Sequence, residues 1–243
     1  MHLRQEVPNL LSYPRFVALM PRSRVPLAIY LHTQLGECSG ISCSDSTSLA
    51  VCHPARIAQH RVLGVDARRG KTSVGWCYGF KRHLVVQDRG ELLALCLPPG
   101  NTDDRRPVPR LVPRLVPRLL PRLVPRLLRR LFGRLFGDKG SISAPLAERL
   151  LVTHGLRLIT KLRKNRRHQL LHLSDRLVLR KRALIETIVD QLKNICQIEH
   201  SRHRSPSNFV VHLLAGLAAY CHLPKKPSLD LAAHPLIADL IQN

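Results

Sequence analysis

The sequence has few acidic residues and few aromatic ones. Its 243 residues include 16 Asp and Glu against 39 Lys and Arg, so the formal net charge at pH 7 is +23. Such a balance predicts a polyanionic partner: DNA, RNA or an anionic membrane surface. Aromatic residues make up only 4% of the chain, which supplies little for a platform that stacks bases. Contact with backbone phosphates is therefore the better-supported interpretation.

Several other signals are absent. The seven cysteines include no CxxC pair, so their spacing matches neither a zinc ribbon nor a disulfide framework. We interpret them as reduced thiols of a cytoplasmic, nucleoid-associated protein. The N-terminus has no secretory signal pattern. The longest apolar run, Phe209 to Cys221, is too short to span a bilayer; it predicts a buried C-terminal helix and no membrane partner.

The chain divides by composition into three parts. Residues 1–36 predict short helices interrupted by four prolines, and we interpret them as the remnant of a longer N-terminal helical region. Residues 37–224 form the main predicted domain, and residues 225–243 are a weakly patterned tail.

The main domain alternates strand and helix patterns. Alternation at Ile41, Cys43 and Asp45 predicts a short strand that ends at Asp45. Residues 53–73 predict a long basic loop, whose cations Arg68, Arg69 and Lys71 are candidates to reach phosphates. Residues 75–87 and 91–98 predict two strands joined by a tight turn at residues 88–90. These three strands are expected to be antiparallel neighbours.

The second half of the domain predicts a parallel unit. A strand in residues 131–137 stops at Gly137 and is followed by Asp138 and Lys139. A helix at 144–153 and a strand at 156–162 come next, and a strand–helix–strand order suits a parallel pair. The predicted fold is therefore α/β, with a mixed sheet of three antiparallel and two parallel strands flanked by helices.

A repeat interrupts this pattern at residues 108–127. The unit VPRL or LPRL recurs so that proline stands at every fourth position, and each interior proline costs a helix about 3 kcal/mol. Residues 105–134 carry ten arginines and no acid. We interpret the repeat as an extended, polyproline-like basic arm that attracts polyanions.

Residues 180–194 predict an amphipathic helix. Its apolar positions follow one helical face, and its opposite face carries Arg182, Glu186, Asp190 and Lys193. On pattern alone an ordinary solvated surface helix explains these charges, just as a turn residue explains Asp45.

Three carboxylates nevertheless stand out by position: Asp45, Asp138 and Glu186. If the first and fourth predicted strands lie side by side, Asp45 and Asp138 meet, and the helix brings Glu186 above them. Converging acids in a basic protein are electrostatically reasonable if they hold cations. Oxygen ligands favour Mg²⁺ or Mn²⁺, and two such ions clamp the oxygens of a phosphoryl transfer.

These stretches resemble the DDE transposases of bacterial insertion sequences. The matching motifs, which span roughly residues 10–227, are DST at 45–47, GWCYGFKRHL at 75–84, PGNTDDRRPV at 99–108, LFGDKG at 135–140, and RKRALIETIVDQLKN with IEHSRHRSP at 180–206. The resemblance implies a ribonuclease-H-like catalytic domain whose metal-binding triad is Asp45, Asp138 and Glu186. It also implies that Arg182 and Lys193 contact transposon-end DNA, and it makes double-stranded DNA, as transposon end and target, the expected partner.

The sequence also departs from the family pattern. Leu179 and Ser141 stand where tyrosines are usual, the N-terminal DNA-binding segment is expected to be missing, and the VPRL repeat lengthens one connection. Two hypotheses follow: an active transposase, which would work as a homodimer on DNA, or a catalytically inactive basic DNA-binding remnant. A structure-specific nuclease on the same fold explains fewer residues.

Overall fold

The computed structural model describes residues 9–71, 75–103, 131–137, 144–160, 172–199, 203 and 205–229. Three features predicted above lie outside these ranges: the second carboxylate of the triad, Asp138; the neighbouring cation, Lys139; and the VPRL repeat.

Strands and helices alternate along the described chain. The strands are β1 (Ile41–Cys52), β2 (Arg68–Lys71), β3 (Trp76–Gln87), β4 (Leu92–Cys96), β5 (Gly133–Gly137) and β6 (Leu156–Thr160). The helices are α1 (Tyr13–Leu19), α2 (Arg24–Thr33), α3 (Ala144–His154), α4 (Leu173–Arg180), α5 (Ala183–Asn194) and α6 (Pro206–Cys221). Two short 3₁₀ helices cover Met20–Ser23 and Pro54–Gln59.

All six of these strands belong to one mixed sheet. Its order is β2-β3-β1-β5-β6, and β4 also pairs with β3. The long strand β3 is antiparallel to β1, β2 and β4, whereas β5 pairs in parallel with both β1 and β6. The first and fourth predicted strands are therefore neighbours, as expected, and the predicted α/β, ribonuclease-H-like mixed sheet is confirmed.

Helices cover both faces of the sheet. On one face, buried β1 and β3 residues such as Cys43 and Leu84 share a core with Ile185 of α5 and Leu217 of α6. On the other face, a smaller cluster joins Val85 to α3. The alternation of the strands separates the two sets, because successive side chains point to opposite faces.

Several predicted elements agree with the structure. The turn at residues 88–90 joins β3 to β4, α3 ends next to Gly155, and the apolar C-terminal run forms α6. Contacts also join the three predicted parts of the chain. Helix α2 of the first part packs against α6, and the backbone amide of Leu229 in the tail donates to the carbonyl of Asp88 at 2.6 Å. The predicted domain boundaries stay predictions.

Two predictions of local structure were wrong. Residues 53–73 are not a single loop, since they contain the 3₁₀ helix Pro54–Gln59 and the edge strand β2. Pairing with β3 supplies the backbone hydrogen bonds of β2. The polar side chains of β2 do not indicate a strand, because strand formation depends on the neighbouring strand. The helix predicted from residue 180 begins instead at Ala183, because Lys181 and Arg182 form a turn between α4 and α5.

Candidate active site

Asp45 lies in the middle of β1, and not at the strand end that the sequence predicted. It pairs with Leu84 of β3, and the ladder continues beyond it as far as Cys52 and Tyr78. The strand continues through Ser46, Thr47 and Ser48, whose small hydroxyl side chains fit a partly buried position. The long partner strand β3 supplies their backbone hydrogen bonds. The carboxylate therefore rests on a rigid strand, and its side chain is 17% exposed.

The end of β5 lies beside this carboxylate. The parallel register pairs Ile41 with Arg134 and Cys43 with Phe136, and β5 ends one residue later, at Gly137. The buried carboxylate of Asp175 on α4 holds Arg134 of β5 at 3.3 Å. Strand β5 is thus held both by its pairing with β1 and, near its beginning, by α4.

Arg182 connects these two strands. Its Nη2 lies 3.4 Å from Oδ1 of Asp45, and its Nη1 donates to the carbonyl oxygen of Gly137 at 3.4 Å. Only 9% of its side chain is exposed. A planar guanidinium with donors on separate nitrogens suits such a bridge. The arginine that the sequence predicted as a DNA contact is therefore located at the carboxylate.

Glu186 lies one helical turn after Arg182, in the first turn of α5. Helix α5 contacts β1, and it does so through a face on which Ile185, Ile188 and Leu192 are fully buried. Glu186 is exposed on the remaining surface. Further along this helix, the exposed Lys193 pairs with Glu199 at 3.1 Å.

A second buried arginine was missed by the sequence analysis. Arg82 of β3 is 1% exposed, and its Nε and Nη2 donate to the hydroxyl of Thr47 at 3.2 and 2.8 Å. Burial lowers the pKa of Arg82, and the negative charges of Glu199 and Asp45 oppose that shift. The signal was present in the sequence, since Arg82 shares its strand face with the apolar residues Phe80 and Leu84.

The basic residues predicted to reach phosphates lie at the free edge of the sheet. Arg68, Arg69 and Lys71 form most of β2, and all three are exposed. The guanidinium carbon of Arg69 lies 4.7 Å from the ring centroid of Trp76, on the adjacent strand.

The donors present suit a hard divalent cation. In the part of the chain that the structure describes, no group of three or more His, Cys, Asp or Glu side chains is arranged to hold a metal. That part excludes Asp138. The two described members of the predicted triad are carboxylates that solvent reaches: Asp45 is 17% exposed and Glu186 is an exposed residue. Such oxygens are the ligands that Mg²⁺ and Mn²⁺ prefer.

The cysteines take no part in this arrangement. All seven are free thiols in the structure. Burial raises the pKa of Cys43, two residues before Asp45, to about 12, so that thiol stays neutral at physiological pH.

Comparison with known proteins agrees with the geometry. The family model described as the transposase DDE domain matches residues 35–121 and 121–206, which is more than two thirds of the chain. The chain belongs to the DDE transposase family. Membership of this family implies DNA binding, and proteins of the family generally use divalent metal ions. Searches of curated proteins and of solved structures return no match.

The family match is divided within the VPRL repeat. Its two segments meet at Pro121, which lies inside the VPRL repeat. None of the described helices is long and apolar enough to cross a membrane.

Proposed function

We propose that the chain is the catalytic domain of an insertion-sequence transposase, which cleaves one strand at the element end and transfers it to target DNA. The observation that carries the proposal is the β1–β5 pairing. The parallel register pairs Cys43 with Phe136. Arg182 then contacts both the Asp45 carboxylate and the carbonyl oxygen of Gly137, the residue before Asp138.

In this proposal, Asp45, Asp138 and Glu186 hold two Mg²⁺ or Mn²⁺ ions. Such ions, when bound, stabilise the charge on the attacking and leaving oxygens of a phosphodiester. Asp45 on its strand and Glu186 on its helix each occupy a rigid element. This favours the site because catalytic groups must be held in place before the substrate arrives.

The reaction has two displacements at phosphorus. Water attacks the phosphodiester at the element boundary, the bond to the 3′ oxygen breaks, and that oxygen takes up a proton to become a free hydroxyl. In the second step this hydroxyl loses its proton to solvent and attacks a target phosphodiester. The bond to the target 3′ oxygen breaks, and that oxygen takes up a proton to become a free hydroxyl.

The remaining cations would position DNA. Lys193, Lys139 and the three β2 cations Arg68, Arg69 and Lys71 are proposed to contact phosphates. Arg182 is proposed to orient the Asp45 carboxylate, because the Arg182 side chain is buried against it. A homodimer assembled on paired ends would complete the reaction.

The experiment is cleavage of a labelled duplex that carries the flanking element end, with Mg²⁺, with Mn²⁺ and with EDTA. We expect nicking at the boundary that requires metal and falls at least 100-fold in Asp138→Asn and in Glu186→Gln. Asp190→Asn is the matched control, since Asp190 is an exposed acid one turn beyond Glu186 whose carboxylate accepts a hydrogen bond from Asn194. Metal-dependent cleavage retained in Asp138→Asn would refute the triad.

One observation favours a second candidate, the catalytically inactive basic DNA-binding remnant. The family match is split within the VPRL repeat, so the repeat interrupts the catalytic domain between β4 and β5. Binding of the element-end duplex without nicking under every metal condition would support this candidate. A marked preference for the element end over unrelated DNA at moderate salt would contradict it, since phosphate contacts alone do not read sequence.

A further inference from the structure

The tryptophan at the free edge of the sheet is unusually placed. Trp76 is the only tryptophan of the chain. It begins β3 opposite Lys71 of β2, and it is 54% exposed. A large aromatic side chain ordinarily gains more from burial than any other, so this exposure needs a reason.

The surroundings of the ring are cationic. Residues directly opposite one another, and those two positions apart, share one face of a strand pair, so Trp76 lies on the same face as Lys71 and Arg69. The Arg69 guanidinium lies 4.7 Å from the ring centroid. We call Arg69, Lys71 and Trp76 the edge platform. A guanidinium is attracted to the face of an aromatic ring, and the Trp76 side chain is nevertheless 54% exposed.

We propose that the edge platform binds a DNA strand with an unpaired base, the base stacking on Trp76 while Arg69 and Lys71 contact the adjacent phosphates. The chemistry fits this occupant because nucleic acid combines a flat π surface with a nearby negative charge. Inside a duplex both faces of a base are covered by its neighbours, and at a duplex end only one face of the terminal pair is open, so an unpaired base offers the most accessible face. The inference rests on the proposed function for the source of such a base, namely DNA opened at the cleaved element end.

The composition argued against such a platform, because aromatic residues are only 4% of the chain. A single stacking position needs only one ring, however, and Trp76 is exposed next to two cations. Trp76 lies at the beginning of β3, eight residues before Leu84, the partner of Asp45. The platform and the catalytic carboxylates can therefore be tested separately.

The test uses the fluorescence of Trp76, which no other tryptophan in the chain obscures. The whole protein, in EDTA so that cleavage plays no part, is titrated with a blunt duplex, with the same duplex bearing a four-thymidine single-stranded extension, and with polyphosphate, which has no bases. We expect the extension to reduce the fluorescence by at least half at saturation. The blunt duplex and polyphosphate should change it by less than a tenth.

Affinities measured by anisotropy of labelled DNA complete the test. We expect the extended duplex to bind about tenfold more tightly than the blunt one, which is the order of effect of one stacked base. Trp76→Ala should abolish that preference, Trp76→Phe should keep most of it, and Arg69→Gln should weaken binding of both duplexes. Arg89→Gln is the control, since Arg89 is an exposed cation in the turn at the opposite end of β3.

The outcomes separate the two proposals. Equal quenching by blunt and extended DNA, quenching by polyphosphate, or a preference that survives in Trp76→Ala would each overturn the platform. The quenching measurement needs only the wild-type chain, so it decides the matter even if a variant does not fold. Failure of cleavage with normal quenching would instead count against the proposed catalysis alone.

Discussion

At the scale of single residues, two buried arginines define the candidate site. Arg182 bridges β1 and β5, and Arg82 is held by the hydroxyl of Thr47. Both bring positive charge to the surroundings of Asp45. The ion pair with Arg182 also fixes the position of the Asp45 carboxylate.

We expect Arg182→Met to destabilise the protein by about 2–3 kcal/mol. This is below the roughly 3–5 kcal/mol for breaking a fully buried ion pair, because the Asp45 side chain is 17% exposed and water can reach it. Urea unfolding followed by circular dichroism measures the difference. Adding Asp45→Asn to the variant should restore part of the loss, since the side chain that has lost its contact with Arg182 is then neutral.

Lys193→Met is the matched control for that substitution. Lys193 also forms an ion pair, with Glu199, but 51% of its side chain is exposed. Exposed pairs contribute about 0–1 kcal/mol, so this variant should unfold near the wild-type urea concentration. Equal losses in the two variants would show that the Arg182 contact does not hold the strands together.

At the scale of elements, the site depends on how β5 is seated against β1. The strand begins at Gly133, which has a φ of +78°, and the backbone amide of Arg134 donates to the carbonyl of Gly40 at 2.7 Å. A Cβ on residue 133 would lie 2.3 Å from that same carbonyl oxygen. Only glycine allows the two backbones to approach this closely.

We expect Gly133→Ala to cost well over 2 kcal/mol of folding stability, since a clash with backbone adds to the roughly 1–2 kcal/mol of the left-handed conformation. Gly155→Ala serves as its control. Gly155 has a φ of +62° after α3, but a Cβ there would meet nothing within 4 Å. It should therefore cost only the conformational term, and thermal denaturation of the two variants should differ clearly. Similar melting temperatures would contradict the close packing of β5 on β1.

At the scale of the whole molecule, charge dominates. The net charge of +23 gives every DNA contact a large non-specific component that depends on salt. DNA binding measured at low salt therefore includes a large contribution that does not depend on sequence, in addition to any contribution from the carboxylates or the edge platform. Specific effects are best measured at moderate or high ionic strength, where the sequence-independent contribution is weak.

Deletion of residues 108–127 should reduce the salt dependence of DNA binding. The segment contains five arginines, and each phosphate contact contributes about 0.9 to the slope of log K against log salt for duplex DNA. We expect the slope to fall by up to about 4.5 in anisotropy titrations from 50 to 400 mM KCl. Deletion of the tail 230–243, which has no Lys or Arg, is the control. An unchanged slope would show that the repeat does not contact DNA.

Much of this architecture is encoded locally. The hairpin turn at residues 88–90, the end of β5 at Gly137, the stop of α3 before Gly155 and the apolar α6 were all predicted, because each depends on neighbouring residues and a clear period. The adjacency of β1 and β5 also followed from the order of elements. The triad residues Asp45, Asp138 and Glu186 were chosen from the same positions and from the family resemblance, and they stay predictions.

The tertiary structure decided what long-range pairing controls. The length of β1 beyond Asp45 and the existence of β2 depend on β3, a strand distant in sequence, and local patterns do not report such pairing. Arg182 was predicted on the polar face of its helix, yet the sheet buries it. Packing also buries Arg82 and leaves Trp76 exposed at the edge of the sheet. Composition and period thus determined which elements form, and packing of those elements determined which charges lie at the site.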